Sequence, residues 1–306
     1  MRNNTISKAV AVIGSVIIIA AVASGVNHIV SFAGYDYEDA DKYTAGDAVI
    51  KDTVSNLDID WTCGNINFEY HDEDTVEISE KSRKTLSEDK KMRWWLDGDT
   101  LRIRFAGKGS RFFSLDLNQD KELTVRLPES ISLGDVVIDS TSGDVLIPPL
   151  QAQKVTLDVV SGDVRLELSG ADELHISTVT GNVDTKLDGV RSAEIDTTSG
   201  DVKVSAPGLE KLDIDVTTGD VTAALSEEPG FTAHLDTVTG NIVYDLPLTG
   251  KGGTYVCGDG SGSVEIDTTT GDDHPTLAFS HRVQKTVLYI CVSFAVLHTG
   301  SSLPSF

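Results

Sequence analysis

The chain has 306 residues, 40% of them hydrophobic and only 6% aromatic, and carries a formal charge of -23 at pH 7. That apolar content supplies a buried core and excludes wholesale disorder, while so acidic a chain repels phosphate and excludes nucleic acid as a partner. Its three cysteines, Cys63, Cys257 and Cys291, are too few to staple a fold and lack the spacing of a zinc site.

Residues 1–8, MRNNTISK, form a basic leader. The run Ala9–Val30 then holds 22 nearly uncharged residues. At 1.5 Å per residue such a helix spans roughly 33 Å, enough for a hydrocarbon core of about 30 Å. Arg2 and Lys8 precede it and acidic residues follow from Asp36, so the positive-inside rule keeps the N-terminus cytoplasmic and exports the rest. Ala21-Val22-Ala23 also offers a signal-peptidase site. The apolar run continues past that site, which favours an uncleaved transmembrane anchor. A buried core helix is the plainer alternative, but a β-rich remainder gives it no partner. Residues 31–44 read as a linker.

Residues 45–126 read as the first coils of a β repeat with an irregular insertion. Val76 and Ile78, then Leu101, Ile103 and Phe105, alternate with polar neighbours as strands do. Between and after them come KSRKTLSEDKKMRWWLDGD and AGKGSRFFS. Residues 81–111 hold ten of the 25 basic residues. Lys90, Lys91, Arg93, Trp94, Trp95 and Arg111 are candidates for a basic, aromatic surface that meets anionic headgroups or wall polymers. The alternative is a cap whose tryptophans plug an open end of the repeat.

From 127 to 273 the charge turns strongly negative, with 27 acidic against 7 basic residues, a net of -20. DSTSGDVLI, DVVSGDVRL, STVTGNVDT, DTTSGDVKV, DVTTGDVTA and DTVTGNIVY follow one another, and DWTCGNINF is a degenerate copy at Asp60. Gly143, Gly162, Gly181, Gly200 and Gly219 are spaced by nineteen residues; Gly240 follows after 21, and Gly271 ends the series. A second set, Gly170, Gly189 and Gly208, keeps the same step. Apolar residues fall at every second position before each corner (Val155, Leu157, Val159) and after it (Val164, Leu166, Leu168), with a change of parity between. The chain therefore turns at each Gly-Asx pair: Gly143-Asp144, Gly162-Asp163, Gly181-Asn182, Gly200-Asp201, Gly219-Asp220 and Gly240-Asn241. Glycine accepts positive φ, and Asp or Asn can bond the amides of a turn. Exchange of Asp for Asn suits a turn, whereas a general acid or base does not survive it. One such repeat is too small to stand alone, so neighbours must stack. The expected fold is an all-β solenoid of stacked rungs with Gly-Asp corners, preceded by one transmembrane helix; an antiparallel meander also fits the spacing. Residues 274–306 lack any acidic residue and read as an atypical apolar tail foreign to the domain. Its apolar run, Val287–Leu297, is short for a bilayer.

In its TTSGDV units, in KELTVRLPESISLGDVVI at Lys121–Ile138 and in LDIDWTCGNINFEY at Leu57–Tyr70, the chain resembles the bacterial putative-adhesin family of unknown function. The resemblance spans about residues 40–272. It implies a solenoid-like extracytoplasmic domain acting at the cell envelope, in adhesion or in envelope-stress response, and it brings no catalytic residues.

Three activities compete. Asp139, Asp158, Asp196, Asp215 and Asp236 each precede a corner glycine by four, and stacked rungs would align them about 4.8 Å apart, where calcium could bridge them. Ordinary outward polarity is the simpler account. A polysaccharide-degrading enzyme would need a base and charge-neutralising groups at one rung, yet Arg165, Lys186, Arg191 and Lys203 are scattered, and His175 and His234 stand alone. The reading that remains is a non-enzymatic, cofactor-free surface binder, with a role as envelope-stress accessory as its rival. Its partners would be the bilayer at the N-terminal helix and a wall polymer, glycan or envelope protein outside.

Overall fold

The computed structural model describes residues 35–110 and 121–277, apart from 228–229, 242, 245 and 272. Ala9–Val30, Arg111 and the chain beyond 277 lie outside these residues. Among those described, no helix is long and apolar enough to cross a membrane.

The protein is a stack of two-stranded rungs. One strand enters each glycine corner, a second leaves it, and each pairs in parallel with its counterpart nineteen residues away. Val164 pairs with Val145 and Val183; Leu174 pairs with Val155 and Ala193. The solenoid is thus correct and the meander is not. Strands Val164–Thr180 and Val183–Ser199 run without a break through their second glycines, so the pre-corner and post-corner ladders join along one side. Their inward residues form one continuous hydrophobic cluster. Where alternation demands an inward side chain, several rungs supply a hydroxyl instead: Thr178, Thr185, Thr197, Thr268 and Ser140 are buried. Thr178 and Thr197 share a hydrogen bond of 3.0 Å from rung to rung.

Why the corner must be glycine is plain at Gly181. Its φ is +146°, and a Cβ there would stand 1.9 Å from the carbonyl oxygen of Gly162. Stacking brings backbone against backbone with no room for a side chain. The following Asx works between rungs rather than within its own turn. The Asp163 amide donates to Asp144 Oδ1, Asn182 to Asp163 Oδ1 and Asp201 to Asn182 Oδ1, each at 2.9 Å. Asp220 continues the ladder onto Asp201, and Asp144 begins it on Asn65, both at 3.0 Å. One acceptor oxygen is all the ladder requires, and carboxylate and amide both have it.

The rungs do not follow chain order at either end. Asn56–Trp61 lies between Thr100–Arg104 and Leu133–Ser142, and Ile66–His71 lies inside Lys121–Pro128, so the rung formed by Thr100–Arg104 and Lys121–Pro128 is outermost although it comes later in the chain. Likewise Gly262–Thr270 slots between Lys211–Thr218 and Phe231–Thr239. The Gly219 amide donates to Thr270 O at 3.0 Å and the Gly271 amide to Thr239 O at 3.1 Å. Gly271 therefore sits inside Gly240, which corrects the order expected from sequence. After Gly240-Asn241 the described residues form no strand until Thr249–Lys251. Instead Asp273–Leu277 supplies the post-corner strand of the inserted rung, pairing with Val221–Leu225. The solenoid thus crosses the boundary set at 273/274.

Antiparallel strands close both ends. Arg93–Asp97 pairs with Thr100–Arg104, and Val76–Ser82 pairs with Lys121–Pro128. At the far end Thr254–Cys257 covers Phe231–Thr239. Such strands occupy hydrogen-bonding edges that would otherwise template aggregation. Cys63 and Cys257 belong to opposite ends of this stack, and no disulfide links them. The linker expected over 31–44 is packed onto the domain from Tyr35 onward. Tyr35 and Tyr37 are buried, and the Tyr35 amide donates to Ser110 O at 2.9 Å. Three tyrosines in nine residues hold more apolar area than a free linker would leave in water.

Candidate functional site

Parallel register converts sequence spacing into columns on the outer face of the pre-corner ladder. The position four before each corner aligns Arg104, Asp60, Asp139, Asp158, Ser177, Asp196, Asp215, Asp267 and Asp236 in spatial order. Two residues earlier, a second column runs Arg102, Asp58, Val137, Thr156, His175, Glu194, Asp213, Glu265 and His234. Three successive rungs therefore present paired carboxylates: Glu194 with Asp196, Asp213 with Asp215, and Glu265 with Asp267. Neighbouring strands lie about 4.8 Å apart, so each carboxylate has like charge on two sides.

Asp60 is buried and Asp139, Asp158, Asp196 and Asp267 are partly buried, whereas Asp215 and Asp236 stay exposed. Burial, then the charges of Asp158 and Asp60, raises the Asp139 pKa to about 7. Burial, then Asp215 and Glu265, raises Asp267 to about 7, and burial, then Asp215 and Glu194, raises Asp196 to about 6. Asp158 and Asp215 move the same way, chiefly through burial. Desolvation and repulsion both disfavour the charged form.

The N-terminal end of the face is neutralised. Arg104 holds Asp58 through two guanidinium nitrogens, Nη1 to Oδ1 at 2.7 Å and Nη2 to Oδ2 at 3.0 Å, and Arg102 Nη1 reaches Oδ2 at 2.5 Å. Burial alone would lower the Arg104 pKa, but Asp58 outweighs it and raises it.

The six residues proposed as a basic, aromatic surface divide. Trp94 packs against the core. Trp95 faces outward, edge-on to Tyr43 at 5.7 Å between ring centroids, with Lys42 Nζ 4.5 Å above it. Lys91 pairs with Glu88 at 2.8 Å, and Arg93 donates to the Glu88 carbonyl at 2.7 Å. The carbonyl of Lys90 accepts a bond from Lys121 Nζ at 2.9 Å. Arg111 lies outside the described residues. The strand carrying the tryptophans lies along the edge of Thr100–Arg104, with part of its charge matched internally.

Close to that strand sits an ion pair that the sequence does not signal. Lys121 is fully buried; its Nζ lies 2.6 Å from Glu80 and 4.2 Å from the Phe105 ring centroid. Burial lowers its pKa and Glu80 opposes the shift. His175 is not solitary either: its Nδ1 is 3.7 Å from Glu194. His234 Nδ1 lies 3.3 Å from the Thr254 hydroxyl.

A family model described as Toastrack DUF4097 matches residues 54–287. The chain belongs to this family. The Toastrack match opens just before the first stacked strand and runs past Leu277, so the first part of the segment read as a foreign tail, residues 274–287, is family sequence. Among solved structures, a putative cell adhesion protein from Clostridium sporogenes ATCC 15579 shares 14% identity, with 76% of this chain and 100% of that chain covered and a TM-score of 0.38. A putative adhesin from Bacteroides fragilis NCTC 9343 shares 15%, covering 77% and 97% with a TM-score of 0.36. One from Parabacteroides distasonis ATCC 8503 shares 12%, covering 76% and 97% with a TM-score of 0.34. No curated protein matches the chain.

Proposed function

We propose that this Toastrack protein is a non-enzymatic binding module of the cell envelope, held at the membrane by Ala9–Val30 with its solenoid outside. The observation that carries the reading is the double acidic column. Six carboxylates repeat at strand spacing over three rungs, and among the described residues Lys211, 3.3 Å from Asp213, is the one lysine or arginine paired with any of them. A repeating array of one charge suits a partner that is itself extended and repeating, such as a wall polymer or envelope protein presenting amines or guanidinium groups. The basic leader and the length of the apolar run support the anchor.

The test is binding of the full chain in nanodiscs to envelope preparations, to defined cationic and neutral wall polymers, and to glycan arrays. Saturable binding should weaken as salt rises and should be lost when Glu194, Asp213 and Glu265 are all replaced by Gln or Asn. Binding that is indifferent to that triple variant, or shortening of a glycan on incubation, overturns the reading.

A further inference from the structure

The acidic column is interrupted once. At Ser177 a small hydroxyl stands where its neighbours Asp158 and Asp196 carry carboxylates, and in the next column His175 stands directly opposite Glu194. The break places one imidazole among acidic groups from both adjacent rungs. We propose that His175, Glu194 and Asp196 form a binding site for a zinc-class divalent cation.

Ligand atoms of these three residues all lie within 4.8 Å of one another. Bonds of about 2.0–2.2 Å to nitrogen and oxygen in a tetrahedron put ligand atoms roughly 3.3 Å apart, so rotation about side-chain bonds closes the set without moving a strand. The side chains have that freedom: His175 is 35% exposed and Glu194 54% exposed. None of the three is committed elsewhere. Among the described residues, the contact of His175 with Glu194 at 3.7 Å is the ion pair that either makes, and no lysine or arginine reaches Glu194 or Asp196.

The other histidine–carboxylate group, His71 with Glu73 and Glu77, is different. There the Nε2–H of His71 donates to the Thr75 carbonyl at 2.7 Å, which takes that nitrogen out of any ligand set, and Glu77 faces Arg126 at 3.5 Å, so part of the acidic charge is already matched. Imidazole beside carboxylates selects a transition-series ion over calcium or magnesium, which take oxygen alone. Three protein ligands leave a fourth position to water or to a partner. The ion would join the strands Val164–Thr180 and Val183–Ser199 across their outer face.

Calorimetric titration of the full chain with zinc chloride, and the visible absorption of tetrahedral cobalt(II), test the site. One ion per chain should bind at micromolar concentration. At one hundred times the dissociation constant the midpoint of thermal unfolding should rise by roughly 5–10 °C. His175→Gln and Asp196→Asn should each weaken binding at least about tenfold, and His71→Gln should leave it unchanged. All three sites are partly exposed, and circular dichroism of each variant checks that it folds. Absence of saturable zinc binding, binding that persists in the His175 variant, loss in the His71 variant, or calcium binding as tight as zinc each overturns the proposal.

Discussion

Replacing Asp139 by Asn should stabilise the protein at pH 8 and do nothing at pH 4. Asp139 stands between Asp60 and Asp158 in the column, and its pKa in the folded state is about 7 against about 3.9 in an unfolded chain. The folded state thus holds the proton more tightly than the unfolded state does. Its stabilising effect is complete below about pH 4 and is lost as pH rises through 7. A difference of about 3 units corresponds to about 4 kcal/mol at 1.36 kcal/mol per unit; halving it for solvent screening at a partly exposed site leaves about 2 kcal/mol. Asn keeps the shape and removes the charge. At pH 8 the variant should melt roughly 4–8 °C higher than the parent, using 2–4 °C per kcal/mol for a domain of this size, and the two melting curves should converge as pH falls to 4. A scan of melting temperature against pH for both proteins measures this. A variant that melts lower at pH 8, or a gap independent of pH, refutes the claim that the column is under electrostatic strain.

The two sets of glycines should behave differently. Gly181→Ala meets the Gly162 carbonyl at 1.9 Å and should cost more than about 3 kcal/mol or prevent folding. Gly189→Ala meets only Gly170 backbone atoms, at 3.7 Å and beyond, and should cost about 1 kcal/mol through its φ of +65° alone. Urea denaturation separates the two. Asp163→Asn should be neutral and Asp163→Ala should lose about 0.5–1.5 kcal/mol, because only the acceptor for the Asn182 amide matters. Lys121→Met leaves Glu80 buried without its cation and should destabilise by about 3–5 kcal/mol, while Lys121→Met with Glu80→Leu should recover most of that loss.

What was legible in the sequence was whatever repeats. Five corner glycines nineteen residues apart mark repeating rungs, and the parity change at each Gly-Asx pair marks a bend, but spacing fits a meander as well and only the strand register shows the rungs to be parallel. The exchange of Asp163 for Asn182 already marks a structural oxygen. What escaped were features that occur once. Gly240 and Gly271 lie 31 residues apart, and no period reveals that the later one packs inside the earlier. The ion pair of Lys121 with Glu80 joins residues 41 apart, outside any repeat. His175 looks solitary along the chain because its partner Glu194 is one rung away, visible only when the nineteen-residue step is applied to it. The inward threonines obey the alternation that begins at Leu174 and Ile176, but their polarity disguises them as surface.

Because the chain threads back inside its own outermost coil at both extremities, neither extremity can fray by shedding a terminal repeat in the way an ordinary stacked array does. Growth or loss of length is confined to the middle, where duplicating or deleting one nineteen-residue unit between Gly162 and Gly200 would change the separation of the two extremities by about 4.8 Å and leave both closures intact. The length of the stack can therefore change one rung at a time without disturbing either end.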